Sequence, residues 1–96
     1  MIVGKASVYY ENDGMYLANF EVFEKYRGRG YADAMMRLCI DLFHIDTLIV
    51  SQSNKIAITL YEKYGFKVVK AYYANDLGED VYYMKNKNAE KREKLI

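Results

Sequence analysis

The sequence predicts an α/β fold of the α+β kind, with a mixed central sheet, and three observations carry that reading. Two β-rich stretches flank an Asp-Gly turn near the start. A segment of helical spacing then lies between two apolar runs, and a second helix signal ends at Gly65 before a closing pair of strands. The expected order is an N-terminal β-hairpin, a β-α-β crossover around a glycine loop, a second helix and a C-terminal β-hairpin.

Ile2 to Tyr10 reads as a strand, with Ile2, Gly4, Ala6 and Val8 on one face and Lys5 and Ser7 on the other. Glu11-Asn12-Asp13-Gly14 is a turn cluster whose Asp-Gly pair suits positive φ, and Met15 to Phe23 is the second strand. From Tyr31 to Phe43 the residues Tyr31, Ala34, Met35, Leu38 and Leu42 fall at helical spacing opposite Asp33, Arg37 and Asp41, which predicts that the first set faces inward. Thr47-Leu48-Ile49-Val50 is too short for a helix and reads as a buried strand parallel to the one before the loop, closing a right-handed crossover. Asn54 or Ser53 caps a helix to about Tyr64, with Ile56, Ala57, Leu60, Tyr61 and Tyr64 inward and Gly65 as its left-handed terminator. Phe66 to Tyr72 and Val81 to Lys85 form the last pair, joined through Asn75-Asp76-Leu77-Gly78. Residues 1–85 read as one domain and residues 86–96 as a charged tail, frayed or disordered.

A chain of 96 residues has room for one domain. Its net charge of +1 gives no long-range attraction to nucleic acid or to an anionic membrane, so any basic site must be local. Cys39 is the sole cysteine, which excludes an intrachain disulfide and reads as a small buried apolar residue in a reducing, cytoplasmic setting. No metal-ligand pattern stands out. Met1 to Lys5 lacks the apolar core of a signal peptide, and no apolar run approaches the ~20 residues of a membrane span.

Arg27-Gly28-Arg29-Gly30-Tyr31-Ala32 leaves a strand and opens a helix, where backbone N–H groups and the helix dipole can hold phosphate. A dinucleotide fingerprint would need a third glycine where Asp33 stands. A Walker loop would need Gly-Lys-Ser/Thr, and an Arg-Gly nucleic-acid segment would be longer and more basic. Further on the chain reads Ser53-Asn54-Lys55-Ile56-Ala57-Ile58-Thr59-Leu60-Tyr61-Glu62-Lys63-Tyr64-Gly65-Phe66. The two runs together resemble the GNAT acyltransferases, whose loop pattern is Gln/Arg-x-x-Gly-x-Gly/Ala and whose second motif ends in Leu-Tyr-x-x-x-Gly-Phe.

The resemblance implies a minimal GNAT fold and an acetyl-CoA-dependent N-acetyltransferase that passes acetyl directly to an amine in a ternary complex. In that family two adjacent parallel strands splay apart to admit the pantetheine arm, here Met15–Phe23 and Thr47–Gln52. Main-chain groups of Phe20, Glu21 and Val22 are then expected to hold pantetheine, and an N–H near Val22 to stabilise the developing oxyanion, a donor worth ~3–4 kcal/mol elsewhere. The amides of Arg27, Gly28, Arg29, Gly30, Tyr31 and Ala32 would take the pyrophosphate, with the Arg27 and Arg29 side chains read either as added charge or as solvated arginines. Asn54 matches the asparagine that contacts pantetheine and also reads as an N-cap. Tyr61 matches the tyrosine that protonates the departing thiolate, and is equally at core spacing.

The general base is where the match departs. Many relatives carry Glu or His where this chain has Tyr16, a phenol of pKa near 10. Glu21 and Glu24 are the nearest carboxylates, and Glu21 is the better placed, although simple alternation puts it on the face opposite Tyr16. A weak base favours N-terminal α-amines, whose pKa near 8 leaves a useful neutral fraction, over lysine near 10.4. The segment from Gly65 to Tyr73, followed by Gly78-Glu79-Asp80-Val81-Tyr82-Tyr83-Met84, resembles the closing part of protein N-terminal α-acetyltransferases. Tyr72 and Tyr73 would then line the acceptor slot beside Tyr16. His44, at the end of the first helix, complements its dipole.

A typical member has a further strand and two helices before the hairpin, so the slot is expected to be shallow or completed by another subunit. Exposed sheet surface predicts a homodimer. The acceptor expected is a protein or peptide amine. Two other readings stay open: a non-catalytic acetyl-CoA or CoA-binding regulatory module, and an acetyltransferase for small-molecule amines.

Overall fold

The alternation of apolar and polar residues builds five strands and the two segments of helical spacing build two helices: β1 (Gly4–Glu11), β2 (Gly14–Val22), α1 (Tyr31–Phe43), β3 (Thr47–Ser51), α2 (Lys55–Lys63), β4 (Phe66–Ala74) and β5 (Glu79–Asn86). The computed structural model describes residues 1–11 and 14–87. The strands form one mixed sheet in the order β1-β2-β3-β5-β4, in which β2 and β3 are parallel and the other neighbours antiparallel. A single 3₁₀ turn, Glu24–Tyr26, leads from β2 to the glycine loop.

The core lies between one face of the sheet and both helices, where Leu17, Leu48, Val50, Phe66 and Met84 meet Met36, Cys39 and Tyr61. Burial raises the Cys39 thiol above its ordinary pKa, in keeping with a packing role. Helix α1 has the expected bounds but not the expected face. Leu38 and Leu42 are 57% and 61% exposed, while Met36 and Cys39 are buried and Ile40 packs against them. Apolar residues occupy two adjacent stripes of this helix, so periodicity alone could not choose between them. Ile56, also expected inside, is 88% exposed.

Two bulges reset the strand faces. Between the pairs Lys5↔Glu21 and Ser7↔Ala18, β2 carries one residue more than β1, and Asn19 there has φ 54. On β1 this leaves Ala6 exposed and Ser7 half-buried, the reverse of the expected alternation, and Ile2 is exposed. A second bulge lies between Val68 and Lys70 on β4. The backbones of β1 and β2 approach so closely at Gly4 that a Cβ there would stand 2.2 Å from the Glu21 carbonyl oxygen.

Glu11 lies opposite Gly14, and Asn12 and Asp13 of the expected turn lie outside the described residues. The last two strands run further than expected, to Ala74 and from Glu79. Asn86, assigned to the tail by charge pattern, is the buried last residue of β5, opposite Phe66. The rest of the expected tail beyond Lys87 lies outside the described residues. Among the described residues no helix is long and apolar enough to cross a membrane.

Candidate functional site

The parallel strands β2 and β3 are paired only at Tyr16↔Thr47 and Leu17↔Leu48. Beyond that point the bulge at Asn19 bends β2 away, and the ladder opens into a groove of about 650 Å³. Its walls are Phe20, Glu21 and Val22 on one side and Asn54, Ile56, Ala57 and Leu60 on the other, with Gly28 and Gly30 to Asp33 across its end.

The exposed edge of β2 follows from strand geometry. Phe23 N–H donates to the Val3 carbonyl at 2.8 Å, so its backbone faces β1. Successive residues of a strand turn their backbone groups to opposite edges, which directs the N–H and carbonyl of Val22 into the opening. The carbonyl is met by Arg27, whose Nε donates to it at 2.9 Å. The Arg27 guanidinium also lies 3.7 Å from the Glu21 carboxylate, and Lys5 Nζ lies 3.8 Å from it on the other side.

Gly28 and Gly30 both have positive φ, 77° and 83°, and a Cβ on either would point into space with nothing within 4 Å. The loop therefore presents bare backbone at the N-terminus of α1, where no side chain caps the first turn. Arg29 is exposed and stands outside the groove lining. Tyr31 does line it, with Tyr26 packed edge-on at a centroid distance of 6.0 Å.

Asn54 caps α2, its Oδ1 accepting from Ala57 N–H at 3.2 Å while the residue lines the groove. Tyr61 lies behind the wall, 5% exposed, edge-on to Phe20 at 6.2 Å and to Phe66 at 6.3 Å. Burial pushes its phenol up to about 12.

The face of the sheet away from the helices holds a second cluster. Tyr16 is half-buried there, and burial raises its phenol above the ordinary value, with Glu11, Tyr72, Asp76 and Tyr83 adding to the rise. Of the expected pair, Tyr72 joins Tyr16, whereas Tyr73 follows it on the opposite side of β4 and is 56% exposed. Tyr83 was not anticipated; its signal is the alternation Val81, Tyr83 along β5, which puts it opposite Ile49 of β3. Glu21 also changes sides. Leu17 and Phe20 both pack against the core across the Asn19 bulge, so the strand has gained a residue and Glu21 shares the face of Tyr16. Five residues of strand span ~15 Å, which keeps the two groups from serving one proton directly.

Five groove residues were missed as functional: Ile56, Ala57 and Leu60, which helical spacing assigned to the core, Tyr26, and Asp33, which loop comparison had used only to exclude a dinucleotide site. Among the described residues no cluster of His, Cys, Asp and Glu could hold a metal ion.

Comparison with known proteins agrees with this geometry. Residues 2–66 match the Acetyltransferase (GNAT) family. Among curated proteins none matches the sequence. Solved structures similar to the fold include the ribosomal-protein-S18-alanine N-acetyltransferase from Escherichia coli, 30% identical over 85% of this chain and 59% of that one, with a TM-score of 0.71. Ard1 from Thermoplasma volcanium is 28% identical over 85% of this chain and 60% of its own, also at 0.71. The NatC complex bound to Gag peptide and CoA is 25% identical over 85% and 58%, at 0.67. The chain thus spans about three fifths of the length of the structures it matches. With the splayed strands, the glycine loop and the family match over two thirds of its length, the chain belongs to the GNAT acetyltransferase family.

Proposed function

We propose that the chain is an acetyl-CoA-dependent N-acetyltransferase acting by direct transfer to an amine, most readily a protein or peptide N-terminal α-amine and also lysine. The observation that carries the reading is the groove where β2 and β3 part, with the bare backbone of the glycine loop at its end. A long, narrow ligand with a phosphate-bearing end and an amide-bearing arm fits such a groove. The unpaired edge of β2 offers strand-like hydrogen bonds to the arm, and the first turn of α1 offers N–H groups to the phosphates. In support, the NatC and NatB structures that share this fold are bound to CoA.

Bound there, acetyl-CoA supplies an acyl carbon activated as a thioester. Phe20 and Val22 contribute backbone groups to the arm, Glu21 turning its own backbone towards β1, and the Val22 N–H is the donor aimed at the carbonyl oxygen of the acyl group. Arg27 to Ala32 contribute amides to the pyrophosphate. Asn54 meets the arm from α2, with Ile56, Ala57 and Leu60 as its apolar wall. Tyr61 carries its proton at neutral pH as any phenol does, and burial makes it harder still to lose. A phenol at about 12 lies uphill of a thiol near 8.5, so Tyr61 steadies the leaving sulfur by hydrogen bonding more than by full proton transfer. On the acceptor side we place Tyr16 and Tyr72, with Tyr73 at the rim and Tyr83 as an added member. Glu21 is the proposed base, its carboxylate lying 3.8 Å from Lys5 Nζ and 3.7 Å from the Arg27 guanidinium. A homodimer belongs to the same proposal. Sedimentation of an 11 kDa species alone would count against it.

The test is isothermal titration of the protein with acetyl-CoA and CoA, repeated on Gly30→Glu. That substitution places a negative side chain in open space at the loop. Binding that Gly30→Glu abolishes without loss of helical circular dichroism supports the reading and leads to an acceptor screen over N-terminal peptides, lysine peptides and small amines. Absence of binding to the unaltered protein overturns it.

A further inference from the structure

The first turn of α1 carries an acid where an anion-binding groove needs positive potential. Asp33 is in that turn and lines the groove beside Gly30, Tyr31 and Ala32. A carboxylate so placed competes for the free N–H groups of the helix and repels an incoming phosphate. Here it is turned to other partners. Lys63 Nζ donates to Asp33 Oδ1 at 2.5 Å, and Tyr64 Oη donates to the same oxygen at 3.0 Å. Arg37 Nη2 donates to Oδ2 at 3.5 Å. Two of the three donors come from the far end of α2, so the contact also ties the two helices that wall the groove. Lys63 and Tyr64 hold the Asp33 carboxyl below the usual carboxylate range.

We propose that Lys63 is a positioning residue for the anionic end of the ligand: it neutralises Asp33 and draws the carboxylate onto α2, leaving the α1 amides and the loop uncontested. The inference rests on the coenzyme A reading of the groove and adds to it a residue that touches no ligand. Exposed ion pairs contribute little to folding. A single charge within the first turn acts on a bound anion far more strongly than on the fold.

The experiment is titration of CoA into the unaltered protein, Lys63→Met, Asp33→Asn, Lys63→Met/Asp33→Asn and Tyr64→Phe, with melting temperature recorded for each. Lys63→Met is expected to weaken CoA binding about fivefold, the effect of one charge a few ångströms away in a wet site. Asp33→Asn alone binds as well as the unaltered protein or better, and the double variant returns to its level. Tyr64→Phe, which removes a hydrogen bond and no charge, keeps the affinity. Competition by pantetheine, which has no phosphate, is unchanged by Lys63→Met. A double variant as weak as Lys63→Met overturns the proposal, as does a loss in Tyr64→Phe equal to that in Lys63→Met. CoA failing to bind the unaltered protein removes the groove reading itself, and this inference with it.

Discussion

The Nε of Arg27 donates a 2.9 Å hydrogen bond to the carbonyl of Val22, so the first residue of the glycine loop folds back onto the open edge of β2. The bond links the two parts of the groove that must stay in register, the strand edge and the loop. It also uses the side chain in a way that a phosphate contact would not, since the guanidinium is already beside Glu21.

This gives a prediction that separates latch from phosphate binder. Lysine replaces a phosphate-contacting arginine in part, but it has no planar Nε–H to reach a carbonyl at that bend. Arg27→Lys and Arg27→Ala are therefore expected to weaken CoA binding alike and to cost about 1 kcal/mol of stability, the net worth of one hydrogen bond. Titration and urea denaturation check both, and near-normal binding by Arg27→Lys would assign the side chain to phosphate.

Asn19 sets which residues face the opening. Its φ of 54 is left-handed, a region asparagine tolerates and β-branched residues do not. Asn19→Gly is expected to leave stability within about 0.5 kcal/mol, whereas Asn19→Val costs about 1–2 kcal/mol from backbone strain. Because the bulge fixes where Glu21 and Val22 point, Asn19→Val also loses CoA affinity. Urea midpoints for the two variants, with titration, decide it.

That residue also shows how far the sequence could be read. The hairpin, the parallel strand, the glycine loop and both helix boundaries follow from turn residues, caps and periodicity, because each is a local preference. A bulge is not one. Nothing near Asn19 announces an extra residue in the pairing, and a one-residue slip moves every later side chain to the other face, which is why Glu21 was placed opposite Tyr16. Helix α1 shows a different gap: with Leu38 and Leu42 beside Met36 and Cys39, only the shape of the sheet decides which stripe is covered. Tyr83 and Ile56 gain their positions from contacts across the fold, so the groove wall and the tyrosine face were legible only in part.

Tyr61 yields a test in which packing and chemistry separate. As hydrogen-bond donor to the leaving sulfur, its loss in Tyr61→Phe is expected to lower kcat by about 10- to 100-fold, the worth of one hydrogen bond to an anion, while CoA affinity stays the same. If the ring serves only the core, Tyr61→Phe keeps full activity, because the phenyl ring still fills the space between Phe20 and Phe66. Its titration provides a second, independent readout. The folded-state value is about 12 against an ordinary 10.0, so the folded protein holds this proton more tightly than the unfolded chain. The resulting stability is fully present below pH 10 and is lost as pH rises towards 12, by up to about 3 kcal/mol for two pH units. Tyr16, shifted in the same direction, adds to the alkaline loss. Tyr61→Phe removes the Tyr61 share, so its urea midpoint should fall less between pH 9 and pH 11.5 than that of the unaltered protein; equal falls would mean that the phenol reaches solvent and titrates freely.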